Sequence, residues 1–220
     1  MSIAENLTKI KATIPNHVKL VAVSKTKPNE AILEAYQAGQ RIFGENRPQE
    51  LQKKQAELPS DIEWHFIGHL QTNKVKYIAP FVRLIHGVES LKLLQEINKE
   101  AKKNKRIIPC LLEFHIANEE TKFGLSIEEA REMLKNTAFS ELQNISIQGV
   151  MGMATYTEDE TQIIQEFKKL KSIFAFLKEE FFKQQDSFSE ISMGMSGDYL
   201  LAIKEGSTLI RIGSSIFGNR

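Results

Sequence analysis

Short apolar runs alternate with helical patterns along almost the whole chain, and this alternation limits the fold more than any other feature of the sequence. The runs are Lys19–Lys25, Arg41–Asn46, Glu63–His69, Phe81–Val88, Ile107–Ile116, Ile145–Ala154, Glu190–Met195 and Thr208–Gly213. They mix Val, Ile, Phe and Leu with little polar alternation, as strands do when both faces of a parallel sheet are covered. Between them, Asn29 is placed to cap a helix carrying Ile32, Leu33 and Tyr36, with Gly39 closing it. Ser126 and Glu129 form a capping box ahead of Ala130 and Leu134. The longest helix carries Ile163, Phe167, Leu170, Phe174, Leu177 and Phe181 in three- and four-residue steps, a single apolar stripe suited to packing on a sheet. Right-handed βαβ units either close into a barrel or make an open doubly wound sheet. Eight such runs without a Pro- or Ser-rich linker predict an α/β chain folded as one (β/α)8 TIM barrel over residues 1–220, with the open sheet as the alternative. Only Ser214–Arg220 follow the last strand, too few for a full closing helix, so the weakly amphipathic Ala4–Thr13 is expected to cover that gap as an extra N-terminal helix.

Composition narrows the function classes. Hydrophobic residues make up 41% and charged residues 26% of 220, ordinary globular usage that excludes a disordered tail protein. Lys and Arg number 29 against 28 Asp and Glu, a formal charge of +1, so no field for a phosphate backbone is expected and no nucleic-acid partner. The single cysteine, Cys110, excludes an intramolecular disulfide and any multi-cysteine metal site, and its apolar strand makes it a buried thiol. No apolar run approaches the roughly 20 residues that span a bilayer, and the first residues lack a signal core. A cytoplasmic protein with no membrane partner is expected.

Several suggestive motifs fail on geometry or order. His65 and His69 lie four apart on a predicted strand, about 13 Å between Cα atoms, too far to share a metal, so they read as structural or pocket-lining residues. Gly194-Met195-Ser196-Gly197-Asp198 resembles a nucleophile elbow, but the fifth residue is not Gly and no histidine follows His115. Neither a Walker loop nor G-x-G-x-x-G occurs. The Lys102–Arg106 run reads as a solvated helix end.

The informative residues are Lys25, Arg211 and the segment Gly213-Ser214-Ser215. Alternation puts Val21, Val23 and Lys25 on one face of the first strand. A lysine at the C-terminal end of a barrel strand lies where active sites of this architecture sit, and an unprotonated amine there suits Schiff-base chemistry. Arg211 lies inside an apolar strand and cannot shed its charge, so it needs an acceptor. Gly213 lets the backbone approach a ligand, and Ser214 with the preceding Ser196-Gly197 turn makes an anion cradle of the kind barrels build after their last two strands. Pyridoxal 5′-phosphate offers an aldehyde, a phosphate and a ring nitrogen to match. A phosphosugar on a Schiff-base aldolase matches the first two and leaves Arg211 without a role.

At these residues the sequence resembles the YggS/PROSC family of pyridoxal-phosphate homeostasis proteins. The matching stretches are Val21–Pro28, Phe43–Asn46, Trp64–Lys74, Gly194–Tyr199 and Ile210–Gly218, in order from the first strand to the end of the chain. The resemblance implies a barrel like the N-terminal domain of alanine racemase, of pyridoxal-phosphate fold type III, with the cofactor held as an internal aldimine. It assigns the Schiff-base lysine to Lys25, the ring-nitrogen arginine to Arg211, phosphate contacts to Ser196, Gly213 and Ser214, and an asparagine near the ring to Asn46. One departure is visible: Phe114-His115 stands where such proteins read Val-Asn or Ile-Asn, which leaves the role of His115 open.

Racemases of that fold use a second, β-rich domain and a dimer to supply an opposing tyrosine, for which this sequence leaves no residues. A positioned acid or base contributes about 10²–10⁴-fold, and an arginine at the ring nitrogen weakens the ring as an electron sink. The expectation is therefore a monomer that holds pyridoxal phosphate for vitamin B6 and amino-acid homeostasis without robust catalysis, with PLP-dependent apoenzymes as recipients. The alternative is an enzyme with weak amino-acid racemase activity.

Overall fold

The computed structural model describes residues 2–118 and 123–218. Eight parallel strands close into a barrel in sequence order: β1 (Lys19–Val23), β2 (Ile42–Glu45), β3 (Glu63–Phe66), β4 (Leu84–Val88), β5 (Ile108–Phe114), β6 (Ile145–Gly152), β7 (Glu190–Ser192) and β8 (Leu209–Ile212). Closure is direct, with Val21 of β1 in register with Arg211 of β8. The alternative of an open sheet is excluded. Around the barrel run α1 (Ile3–Ala12), α2 (Asn29–Gln37), α3 (Pro48–Glu57), α4 (Val75–Ile78), α5 (Leu91–Lys103), α6 (Ile127–Lys135), α7 (Thr137–Ser140), α8 (Glu160–Glu180), α9 (Tyr199–Lys204) and α10 (Ser214–Phe217).

The apolar runs overreach the strands mainly at their C-terminal ends. Lys25, Asn46, His69, Ile116, Ala154, Met195 and Gly213 all lie past the last paired residue. Strand pairing stops where the chain flares into the loops of the barrel mouth, and those loops are where ligand-binding residues of this architecture collect. One cap also differs. Pro28, not Asn29, is the N-cap of α2; Asn29 occupies the first helical position and donates to Glu57 Oε2 at 2.7 Å. Proline's fixed φ suits the helix entrance and leaves the asparagine amide for α3. The Ser126–Glu129 capping box forms as expected, and the α8 stripe buries Ile163, Phe167, Leu170 and Leu177.

The gap after β8 is covered from the other end of the chain. Ser2 and Glu5 build a capping box that starts α1, Leu7 and Ile10 are buried, and Asn6 Nδ2 donates to the Ile216 carbonyl at 3.1 Å.

Most of the core lies between sheet and helices. Inside the barrel a smaller cluster of Val21, Leu84, Leu111, Met151 and Leu209 fills the floor. The next inward positions, two residues on, change character: Leu84 is followed by His86, Leu111 by Glu113 and Leu209 by Arg211, all buried. An apolar plug therefore supports a polar layer, and above it the mouth opens.

Candidate active-site cavity at the barrel mouth

A cavity of about 710 Å³ opens at the C-terminal ends of the strands, and Lys25, Ser196, Arg211, Gly213 and Ser214 all line it. The sequence reading is brought together here from three separate loops. Asn46 is the exception: it follows β2 and packs its Cβ and backbone against Gly68, outside the cavity wall. His115 also lies elsewhere, in the wall of a second depression that includes Lys169 and Phe176. The two histidines four apart are separated by the strand end. His65 is buried inside the barrel, whereas His69 pairs with Glu89 at 3.0 Å on the outside and stacks on Phe123.

Lys25 sits in a tight turn after β1, followed by Thr26 at φ +65°. The turn is held from behind by a buried charged cluster. Lys54 of α3 donates to the Ser24 carbonyl (2.9 Å), Glu45 Oε1 (2.8 Å) and Glu50 Oε1 (2.7 Å). Ser24 Oγ donates to Glu45 Oε1 at 2.6 Å, and the Thr26 N–H donates to Glu50 Oε1 at 2.7 Å. Burial pushes the Glu45 carboxyl above its usual range despite the bonds from Lys54 and Ser24, and its Oε2 is buried with no hydrogen-bond partner among the described residues. The bonds to Glu50 outweigh its own burial and hold it low.

The opposite wall is built by the loops after β7 and β8. Gly194, at φ +94°, turns the chain so closely that a Cβ would lie 2.6 Å from that of Ala202, and the following Ser196 accepts the Gly213 N–H at 3.3 Å. Ser214 opens α10, where the first backbone N–H groups have no helical carbonyl to meet. Lys27 fixes the far end of that helix by donating to the Phe217 and Gly218 carbonyls, each at 3.1 Å. The Ser196–Gly213 contact joins two hydroxyl-bearing turns into one polar concavity.

Arg211 reaches the cavity from within the barrel and is only 4% exposed. Its Nη1 donates to Ser192 Oγ at 2.6 Å and its Nη2 to the Gly152 carbonyl at 3.1 Å. Among the described residues no carboxylate lies within ion-pair distance of it. Burial lowers its pKa to about 10, which still leaves it charged at neutral pH. Ser192 in turn meets His86 Nδ1 at 2.9 Å, and His86 Nε2 meets His65 Nδ1 at 3.0 Å. Desolvation takes His65 down to about 3 and His86 well below its usual value, so both rings are neutral. Glu113 lies in the same layer; burial and the nearby Glu89 push it up to about 7, against the pull of Arg211.

Sequence reasoning missed this supporting layer. His86 and Ser192 are isolated polar residues in apolar strands, the same signal that singled out Arg211, and Ser192 precedes the Gly194 turn by two residues as Arg211 precedes Gly213, but neither carries a fixed charge that demands a partner. Lys54 lies in a mostly polar helix whose one large apolar anchor is Leu51, and only the position of Glu45 explains why a lysine is buried there. Cys110 is fully buried as expected, and burial pushes its thiol pKa upward.

A family model described as the alanine racemase N-terminal domain matches residues 1–220. A pyridoxal phosphate homeostasis protein of Aquifex aeolicus is 42% identical over 206 residues, covering 93% of this chain and 88% of its own length. One from Schizosaccharomyces pombe is 35% identical over 206 residues, covering 93% and 85%. Among solved structures, PipY of Synechococcus elongatus PCC7942 with PLP bound superposes with a TM-score of 0.89 at 37% identity, covering 99% of this chain and 100% of that one. Alanine racemase from E. faecalis shares the fold at a TM-score of 0.77 and 15% identity, with 99% of this chain matching 58% of the enzyme.

Proposed function

The chain belongs to the pyridoxal phosphate homeostasis protein family, built on the alanine racemase N-terminal domain, and from that premise we propose that it holds pyridoxal 5′-phosphate in the mouth cavity, joined to Lys25 Nζ as a Schiff base. The observation that carries this reading is the convergence of Lys25, Arg211 and the Ser196–Gly213–Ser214 turns on one cavity. The residues fit the group at each of its ends. Lys25 offers an amine, the two serine turns offer hydroxyl and backbone donors to a phosphate, and Arg211 is a buried cation whose protein partners are two neutral oxygens. Asn46 fits the same reading only through the ring-side role the resemblance gives it.

When bound, pyridoxal phosphate supplies an aldehyde carbon reactive toward amines and a ring that takes up electron density. Arg211 donates a hydrogen bond without surrendering its proton at neutral pH, so it holds a ring nitrogen in place and leaves it unprotonated. That weakens the electron sink and favours storage and release over turnover. Lys27 and Asn6 secure α10, so the phosphate turn keeps its shape when the cavity is vacated. On this reading the protein is a cytoplasmic, monomeric barrel of one domain that serves vitamin B6 and amino-acid homeostasis and passes the cofactor to PLP-dependent apoenzymes. Among the described residues no helix is long and apolar enough to cross a membrane.

Borohydride reduction of the loaded protein followed by peptide mapping tests the attachment: the adduct is expected on Lys25, and an adduct on Lys27 or Lys74 overturns the assignment. Mixing loaded protein with a PLP-free apoenzyme is expected to restore that enzyme's activity. Racemisation of an amino acid by the barrel alone at an enzymatic rate of about 1–10³ per second would replace the carrier reading with the weak-racemase alternative.

A further inference from the structure

We propose that His86, acting through Ser192, is a positioning residue for Arg211, a directional link in a hydrogen-bond chain that runs Arg211–Ser192–His86–His65 across the barrel interior. The direction follows from donor chemistry. A guanidinium has only donors, so Ser192 Oγ accepts from Arg211 Nη1 at 2.6 Å. The serine's own proton then needs an acceptor, and His86 Nδ1 lies 2.9 Å away. His86 Nδ1 is therefore bare and its proton sits on Nε2, which donates to His65 Nδ1 at 3.0 Å. His65 is left with its proton on Nε2. One fixed cation at the end thus selects the tautomer of two buried imidazoles from β3 and β4, and they in turn fix the hydroxyl rotor that anchors the cation.

A carboxylate in place of this relay would bind Arg211 more strongly but would occupy its donors in a fork. The neutral relay engages Nη1 alone, while the Gly152 carbonyl takes Nη2. The guanidinium is thereby oriented with donor capacity left for the cavity it lines. Glu113, the buried acid of the same layer, acts on Arg211 only through space.

What Arg211 meets in the cavity rests on the function proposed above; the chain itself does not, so the two are tested separately. In the cofactor-free protein, long-range nitrogen–proton NMR spectra are expected to show both His65 and His86 as neutral rings protonated on Nε2 between pH 5 and 8. His86 protonated on Nδ1 would overturn the chain whether or not PLP binds. In the loaded protein, His86→Leu removes the acceptor and is expected to shift the visible absorption band and weaken cofactor retention about tenfold, the loss of one hydrogen bond to a charged group. His86→Asn keeps an acceptor near the Nδ1 position and is expected to return the band to its wild-type place, whereas His86→Gln, whose amide reaches only the Nε2 position, is not. Should His86→Leu fail to fold, Ser192→Ala breaks the same link and is expected to move the band alike. An unshifted band in a cooperatively folded His86→Leu or Ser192→Ala, or a His86→Asn variant as perturbed as His86→Leu, would overturn the proposal.

Discussion

Lys25 and Arg211, two basic side chains of the mouth, are held by opposite kinds of chemistry. Behind Lys25, between the sheet and α3, stands a charged cluster of Glu45, Glu50 and Lys54 whose bonds end on backbone atoms of the turn, the Ser24 carbonyl and the Thr26 N–H. Behind Arg211, inside the barrel, stands a neutral relay of Ser192, His86 and His65. The difference follows from what each side chain must do. The Lys25 turn is a sharp bend with Thr26 at φ +65°, and charge-assisted bonds to its backbone hold the bend without touching the amine. Arg211 must keep its donors available, so the groups behind it accept one bond and carry no charge.

The largest effect is expected on the lysine side. Lys54→Met leaves Glu45 buried and unpaired, and removing one partner of a buried pair costs about 3–5 kcal/mol. Urea unfolding checks this, with the double change Lys54→Met and Glu45→Leu recovering more than half, because an apolar pair of similar volume replaces buried charge at little cost. On the arginine side His86→Leu is expected to cost clearly less, since no charge is stranded that was paired before. Equal losses at the two sites would erase the contrast between charged and neutral support.

The second effect sharpens the contrast through pH. Glu113 is held up to about 7, against 4.5 for an ordinary glutamate. Between those values the folded chain keeps a proton that the unfolded chain has lost. This contribution to stability is therefore fully present below pH 4.5 and is lost as pH rises through about 7. Glu113→Gln removes that dependence. The variant is expected to match the wild type near pH 4 and to exceed it above pH 7 by up to about 3 kcal/mol. The difference between the two pH–stability curves is the quantity to read, because His65, held down to about 3, has the opposite slope, losing stability as pH falls below about 6.5. A flat difference would mean that Glu113 is charged in the folded barrel at neutral pH.

These supports also mark how far the sequence could be read. All eight strands were legible because a strand covered on both faces lies in a predominantly apolar run without regular polar alternation, which stands out even where a single inward residue is polar. Lys25 and Arg211 stood out because a charge in such a run demands a reason. The groups behind them did not, because their partners are set by barrel closure: His86 and Ser192 meet across 106 residues of sequence, and Lys54 is buried only because β2 delivers Glu45 beneath it. The N-terminal cap at Pro28 was missed for a local reason, since asparagine is the better cap by type but proline already supplied the entrance angle. Helix α1 was legible as a cover for β8 only because the barrel had been inferred first.

The smallest effect tests whether the bend behind Lys25 is itself under strain. Thr26 and Lys105 are the non-glycine residues at positive φ in the described structure, at 65° and 53°. A non-glycine residue in that region costs about 1–3 kcal/mol, and a β-branched one is at the high end. Glycine removes that cost but adds about 0.5–1 kcal/mol of chain entropy to the unfolded state. Thr26→Gly is therefore expected to be stabilising by about 1 kcal/mol or less, its N–H still donating to Glu50 because the bond is made by the backbone. Lys105→Gly, in an exposed turn after α5 and away from the cavity, is expected to be close to neutral in the same measurement. The two should then part company. With Thr26→Gly the turn loses the restriction that aims Lys25, so covalent capture of PLP, followed by its visible band, slows although the fold is no weaker; with Lys105→Gly it is unchanged. If Thr26→Gly captures the cofactor at the wild-type rate, the charged cluster alone aims the lysine, and the threonine's strained conformation contributes nothing to the site.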